Sequence, residues 1–244
     1  MANIVHIGID FSINSPAVCI ETNGNNIRWL SLFNCDGKNW QRPNPTKEFM
    51  WHNKLIGTVR LAPYIRYKAG NKTDYIEEQQ QKIKDAYALA MHIVEQIRQT
   101  IPCEDYEIAT ISLEGFAFGS KGNSFIDLIM YNSILREKLF HEFGGKVIYI
   151  IPPAQAKKFA YKGNANKEDM IRAFVSSEDA LLRSTGLWKL LSKETIDPNS
   201  VKPVDDLVDS YWIMKSGKLE WRIRNGLEER EVPKKKTKAK AKKK

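Results

Sequence analysis

Four acidic residues occupy positions at which their side chains could meet and do chemistry. Asp10 ends the run Ile-Val-His-Ile-Gly-Ile, and Glu114 directly follows Ile-Ser-Leu. Asp206 and Asp209 lie three residues apart in Val-Asp-Asp-Leu-Val-Asp-Ser, and residues at that spacing share one face of a helix. If the first two acids end neighbouring strands and the helix docks on that sheet, the four carboxylates converge on one spot.

Carboxylates packed together repel one another, and such a cluster persists when divalent cations neutralise it. Hard oxygen ligands favour Mg²⁺ or Mn²⁺, and two such ions about 3.5–4 Å apart can activate water and stabilise an in-line phosphoryl displacement. We therefore expect Mg²⁺ or Mn²⁺, two ions per site, and no small-molecule cofactor. The predicted ligands are Asp10, Glu114, Asp206 and Asp209. Asp205 rivals Asp206, and acids in a first helical turn are also favoured by the helix dipole alone.

Hydrophobic periodicity predicts the elements that must position these acids. Short runs rich in Ile and Val predict strands over 4–9, 17–21, 27–33, 108–113 and 147–151, with a hairpin turn at 23–26. Apolar residues at three- and four-residue spacing predict helices over 77–100, 124–143, 166–176 (capped by Asn166), about 179–191 and 203–216. Ile83, Tyr87 and Ile126 are expected on core-facing sides of the first two helices.

The order of these elements predicts an α/β fold. Three antiparallel strands come first and alternating α/β units follow, which indicates a mixed sheet with helices on both faces. We expect one domain over 1–217, with an irregular insertion at about 34–75, and a basic, largely disordered tail over 218–244. Aromatic and basic residues interleave in the insertion, which suits either nucleic-acid contact or packing onto the core.

The motifs together resemble those of RuvC-type Holliday-junction resolvases of the ribonuclease H-like superfamily. Ile-Gly-Ile-Asp-Phe-Ser at 7–12 is similar to their first catalytic strand, and Leu-Glu-Gly-Phe around Glu114 is similar to the second motif. Two aspartates three apart, at 206 and 209, resemble the pair that opens the last helix in that family. The resemblance covers roughly 4–33 and 76–216, and it implies a ribonuclease H-like fold with the four acids as ligands of two Mg²⁺ ions.

The resemblance also implies residues that contact DNA beside the metals. Basic residues follow the fifth strand in the family, which points here to Lys167 as a catalytic residue and less firmly to Lys158; both could equally lie on a solvated helix face. A loop after the second motif contacts DNA in the family, and here it is rich in Phe and Gly; we expect one Phe turned inward and one outward. The DNA-binding candidates are Phe116, Phe118, Lys121, Lys157, Lys158 and Lys167.

The function implied is a structure-selective DNA endonuclease that resolves four-way junctions as a homodimer, with the 124–143 helix a candidate interface. One alternative is a ribonuclease H-like nuclease acting on RNA–DNA hybrids or on forked or flapped DNA. Another is a non-catalytic nucleic-acid-binding module. Actin-like sugar kinases have a similar first strand, but they need a second glycine-rich phosphate loop that this chain lacks.

Charge and hydropathy set further bounds. The net charge is +9, and the last eleven residues carry eight lysines, so the remainder is close to neutral. Such a tail attracts polyanions without sequence preference. The sequence has no run of 18 or more apolar residues and no basic, apolar leader, so we expect no membrane association and no secretion. A cytoplasmic or nucleoid-associated protein, or a viral one inside its host cell, fits these features.

Overall fold

A six-stranded mixed sheet forms the centre of the described part of the chain. The structure is a computed structural model that describes residues 3–22, 24–35, 47–66, 74–101, 106–116, 122–194 and 202–230. The strands are β1 (Asn3–Asp10), β2 (Ala17–Thr22), β3 (Asn26–Asn34), β4 (Arg60–Tyr64), β5 (Tyr106–Glu114) and β6 (Ile148–Ile151). They lie side by side in the order β4-β3-β2-β1-β5-β6.

The strand directions confirm the predicted fold class. β1, β2 and β3 form an antiparallel meander, while β5 pairs parallel with both β1 and β6. The predicted mixed sheet, antiparallel and then parallel, is therefore correct. The carboxyl ends of β1 and β5 lie at the same edge, because parallel strands end together, and Ile9 pairs with Leu113 one residue before each acid.

Helices cover both faces of this sheet, as predicted. They are α1 (Lys47–Leu55), α2 (Tyr75–Thr100), α3 (Asn123–Phe143), α4 (Pro153–Ala160), α5 (Lys167–Val175), α6 (Ala180–Ser184), α7 (Gly186–Leu191) and α8 (Val204–Arg224). One apolar core lies between the sheet and α2 with α3, and a second lies between the other face and α1, α5, α6, α7 and α8. Along the described parts of the chain, no helix has the length and apolar character needed to cross a membrane.

The region 34–75 is more ordered than its sequence indicates. It contains α1 and β4, and β4 pairs parallel with β3 to become an edge strand of the sheet. Trp51 and Leu55 of α1 are buried in the second core. The prediction of an irregular insertion is wrong for these two elements. Pro63 argues against a strand in the sequence, but β4 lies at the edge of the sheet, where a strand can contain proline. The aromatic residues of the insertion were expected either to contact nucleic acid or to pack onto the core, and Trp51 packs onto the core.

Other boundaries and faces also need correction. The last helix was predicted to end at 216, but α8 runs to Arg224, so the tail cannot begin at 218. Residues 231–244, which include the eight lysines of the last eleven residues, lie outside the described residues. Helix α4 was not predicted, and the segment at 179–191 is two short helices. Ile83, Tyr87 and Ile126 are exposed rather than core-facing, because neighbouring positions of α2 and α3 already fill the core.

Glycine lets α8 lie directly on the centre of the sheet. A Cβ added at Gly8 of β1 would overlap the Ser210 carbonyl and the Met214 backbone nitrogen, and one added at Gly217 would overlap the Ser112 side chain. Since side chains alternate along a strand, Asp10 points to the same face as Gly8. The first turns of α8 are thereby placed over the ends of β1 and β5.

Candidate active site

The fold brings the four predicted acids within electrostatic reach of one another. Asp10 ends β1, Glu114 ends β5, and Asp206 and Asp209 lie in the first two turns of α8. Burial raises the pKa of Asp10 well above its usual range, and the charges of the other three acids raise it further. Three separate elements therefore aim their carboxylates at a shared region.

At Asp209, burial and the neighbouring negative charges together oppose ionisation. Its pKa is raised to about 7, first by burial and then by the charges of Asp205, Glu114 and Asp206. Burial likewise raises the pKa of Glu114, while the Lys157 ammonium lowers it. Without a counter-ion, part of this cluster takes up protons close to neutral pH.

Asp206 is the acid with the most elaborate surroundings. Ser15, in the β1–β2 connection, donates a hydrogen bond to its Oδ2 at 2.8 Å, and the Lys202 ammonium lies 2.6 and 2.7 Å from its two oxygens. Burial and the neighbouring Asp205 charge raise its pKa, while Lys202 and Ser15 lower it. Ser15 and Lys202 both lie outside the helices and strands. Together they bind the Asp206 carboxylate, which is only 5 % exposed.

Asp205 faces a different partner. It is 2 % exposed, forms an ion pair with Lys167 of α5, and lies 4.0 Å from Lys202. Its Oδ1 is buried and has no hydrogen-bond partner among the described residues. The Asp206 charge acts on Asp10 and the Asp205 charge does not, whereas the Asp205 charge acts on Asp209 more strongly than that of Asp206, so both aspartates border the cluster.

The chemistry of this donor set fits a divalent cation better than it fits the bare protein. Burial and the charges of neighbouring acids raise the pKa values of Asp10 and Asp209, and beside them the buried Oδ1 of Asp205 lacks a partner within the described chain. Still, the His, Cys, Asp and Glu side chains of the described residues form no group of three that could hold a metal ion as they stand. Two ammonium groups, of Lys167 and Lys202, bind the paired aspartates instead.

The predicted DNA-contacting lysines differ in where they lie. Lys157 of α4 is close enough to influence both Glu114 and Asp209. Lys158 is exposed on the same helix. Lys167 begins α5 and, though half of its side chain is exposed, binds Asp205. Lys157 and Lys167 therefore flank the carboxylates.

Phe116 is partly buried beside the site. Its ring lies under the Arg136 guanidinium, 4.6 Å from the centroid, and meets Phe125 edge-on at 6.3 Å. Phe118 and Lys121 lie outside the described residues, so the expectation of one Phe in and one out stays a prediction.

Three residues beside the site were not predicted from the sequence: Ser15, Arg136 and Lys202. Arg136 of α3 donates to the Glu114 carbonyl oxygen at 3.1 Å. Tyr161 is 63 % exposed in the α4–α5 connection, with the Lys162 ammonium over its ring. An exposed aromatic ring with an adjacent cation suits stacking on a nucleic-acid base, and the neighbouring Tyr161 and Lys162 give this signal in the sequence.

Comparison with known proteins yields structural likeness only. No family model matches this chain, and no curated protein is significantly similar to it. The chain is similar to a structure of Thermus thermophilus RuvC, at 16% identity and a TM-score of 0.43, over 91% of this chain and 97% of that one. RuvC from T. thermophilus in complex with a Holliday-junction substrate is similar at 14% identity and a TM-score of 0.45, over 93% and 98%.

The yeast mitochondrial Holliday-junction resolvase Ydc2 is also similar, at 14% identity and a TM-score of 0.43, over 91% of this chain and 80% of that one. These structures are of the kind that the sequence motifs resemble. Identities and TM-scores this low leave the function of this chain to be argued from its own residues.

Proposed function

We propose that this protein is a Mg²⁺-dependent, structure-selective DNA endonuclease that cleaves four-way junctions. The observation that carries the proposal is the convergence of Asp10, Glu114, Asp206 and Asp209 from β1, β5 and α8. Burial raises the pKa of all four carboxyls, and the charges of neighbouring acids raise those of Asp10, Asp206 and Asp209 further. A protein that had no cation to bind would gain stability by replacing such acids.

The four acids would hold the metal, two ions per site, and Mn²⁺ would substitute for Mg²⁺. When bound, the ions supply Lewis-acid stabilisation of the phosphate and lower the pKa of water. Ser15 holds Asp206 in place from the β1–β2 connection. Lys202 would have to leave Asp206 as the cation enters, because both compete for the same two oxygens.

Basic side chains around the carboxylates suit a nucleic-acid backbone. Lys157 and Lys167 flank the acids, and Lys158 and Lys162 are exposed nearby on α4 and the connection that follows it. Such lysines neutralise phosphates and position the strand without reading its sequence. We assign Lys167, which lies beside the carboxylates in its ion pair with Asp205, the role of meeting the scissile phosphate.

Branched DNA is the substrate class that the resemblance to RuvC-type motifs implies, and cutting two opposed strands needs two sites. A homodimer would provide them. Exposed apolar side chains on the outer surfaces of α2 and α3 suit such an interface: Ile83, Tyr87, Met91, Ile126 and Phe140. This surface includes the predicted helix and adds α2 to it.

A substrate panel tests the proposal. Labelled four-way junction, linear duplex, fork, flap and RNA–DNA hybrid are incubated with the full chain, in Mg²⁺ and in EDTA. Paired symmetric nicks in the junction that require Mg²⁺ are expected. Cleavage of hybrids or forks with the junction left intact would contradict junction cleavage and support a ribonuclease H-like nuclease that acts on those substrates. Junction binding without turnover would leave a nucleic-acid-binding module.

A further inference from the structure

Arg136 joins helix α3 to the end of strand β5. Its guanidinium donates to the carbonyl oxygen of Glu114 at 3.1 Å, and the same group lies over the Phe116 ring, 4.6 Å from its centroid. One side chain therefore contacts both the residue that carries a predicted metal ligand and the aromatic residue two positions later.

The end of β5 needs such support. Pairing between β1 and β5 stops at Ile9 and Leu113, so Glu114 lies beyond the last pair on that side. On the other side Glu114 pairs with Ile151, and Gly115 donates to the Ile151 carbonyl. The backbone of Glu114 is therefore supported by β6 and by Arg136.

Arg136 is held at a cost to stability. Its Nε is buried, and no described residue accepts a hydrogen bond from it. A buried guanidinium donor without a partner is unfavourable, and an apolar residue could fill the same position on α3 without that penalty. The arginine therefore contributes something that packing alone does not require.

We infer that Arg136 is a positioning residue that fixes the Glu114 carboxylate for metal binding and holds Phe116 in a set orientation beside it. The inference rests on the proposed function, since it assigns a role within that site. A guanidinium serves both contacts because it is planar: its edge donates to a carbonyl while its face stacks on a ring. Lysine can supply the charge and a donor but not the flat stacking surface.

The test compares Arg136→Met, Arg136→Lys and the matched control Arg98→Met. Arg98 of α2 pairs with Glu142 of α3, so its substitution removes an arginine contact to the same helix away from the site. Mn²⁺ binding is measured by calorimetry, and single-turnover cleavage and junction affinity are measured in parallel. Thermal unfolding confirms that each variant is folded.

We expect Arg136→Met to weaken Mn²⁺ binding and single-turnover cleavage each on the order of 10-fold, as for other groups that orient metal ligands. Junction affinity should fall less, because the DNA-binding candidate Phe116 loses its fixed orientation. Arg136→Lys should recover part of both losses, and Arg98→Met should match the wild type. If the wild type binds Mn²⁺ and cuts while Arg136→Met and Arg136→Lys do so equally well, Arg136 has no positioning role. If the wild type itself neither binds Mn²⁺ nor cuts, the proposed function fails, and the inference fails with it. If Arg136→Met does not fold, Arg136→Lys decides.

Discussion

Asp209→Asn should stabilise the metal-free protein at alkaline pH. In the native state the pKa of Asp209 is raised from 3.8 to about 7, because the carboxylate is buried among other acids. The folded protein then binds a proton at this position that the unfolded chain has already released. The free energy of unfolding therefore falls as pH rises from about 4 to about 7, and the loss is complete above that window.

The size of the effect follows from the shift. A rise of about three pKa units corresponds to about 4 kcal/mol, and relaxation of the neighbouring charges reduces this, so we expect about 2–4 kcal/mol. Asparagine has the same shape and no charge. At pH 8 in EDTA, Asp209→Asn should be more stable than the wild type by that amount, and at pH 4.5 the difference should shrink toward zero.

Urea unfolding followed by tryptophan fluorescence measures both values. Asp169→Asn is a matched control, because Asp169 also lies near the start of a helix and its pKa is lowered, chiefly by the backbone N–H of Asn166. Its contribution to stability is present above pH 4 and is lost on acidification, so that variant should be less stable than the wild type at pH 8. An Asp209→Asn variant that is no more stable than the wild type at pH 8 would refute the idea of a strained carboxylate cluster.

Three further substitutions probe the surroundings of the site. Lys202→Met should tighten Mn²⁺ binding severalfold in calorimetry, because the ammonium no longer competes for Asp206; weaker binding would contradict that competition. Ser15→Ala removes the hydrogen bond to Asp206 and should lower the single-turnover cleavage rate on the order of 10-fold, with junction affinity in a binding assay unchanged. Gly8→Ala would push α8 away at Ser210 and should lower the free energy of unfolding by about 1–3 kcal/mol. An unchanged urea midpoint would mean that α8 does not lie so close to β1.

The acids were predictable because each is tied to a local pattern. An Asp or Glu directly after an apolar strand is expected at the strand end, and the parallel pairing of β1 with β5 then places Asp10 and Glu114 at one edge. The three-residue spacing of Asp206 and Asp209 predicts that both lie on the same face of α8. Pattern alone could not choose between Asp205 and Asp206, because the choice depends on which way α8 is rotated on the sheet.

The features that were not predicted depend on contacts between distant parts of the chain. Ser15 and Arg136 acquire their roles from partners 191 and 22 residues away. The end of α8 was misplaced because Ser-Gly at 216–217 is typical of a helix end. In the fold, Gly217 instead continues the helix and allows close contact with Ser112 on β5.

The central claim is that the four acids form a metal-dependent nuclease site, and cleavage of a labelled four-way junction by acid variants tests it most directly. Asp10→Asn and Glu114→Gln are compared with Glu107→Gln, an exposed acid on the same strand as Glu114. In Mg²⁺ we expect the first two variants to bind the junction and leave it uncut, while Glu107→Gln cuts at the wild-type rate. Retained cleavage by Asp10→Asn, or cleavage by the wild type in EDTA, would contradict the claim.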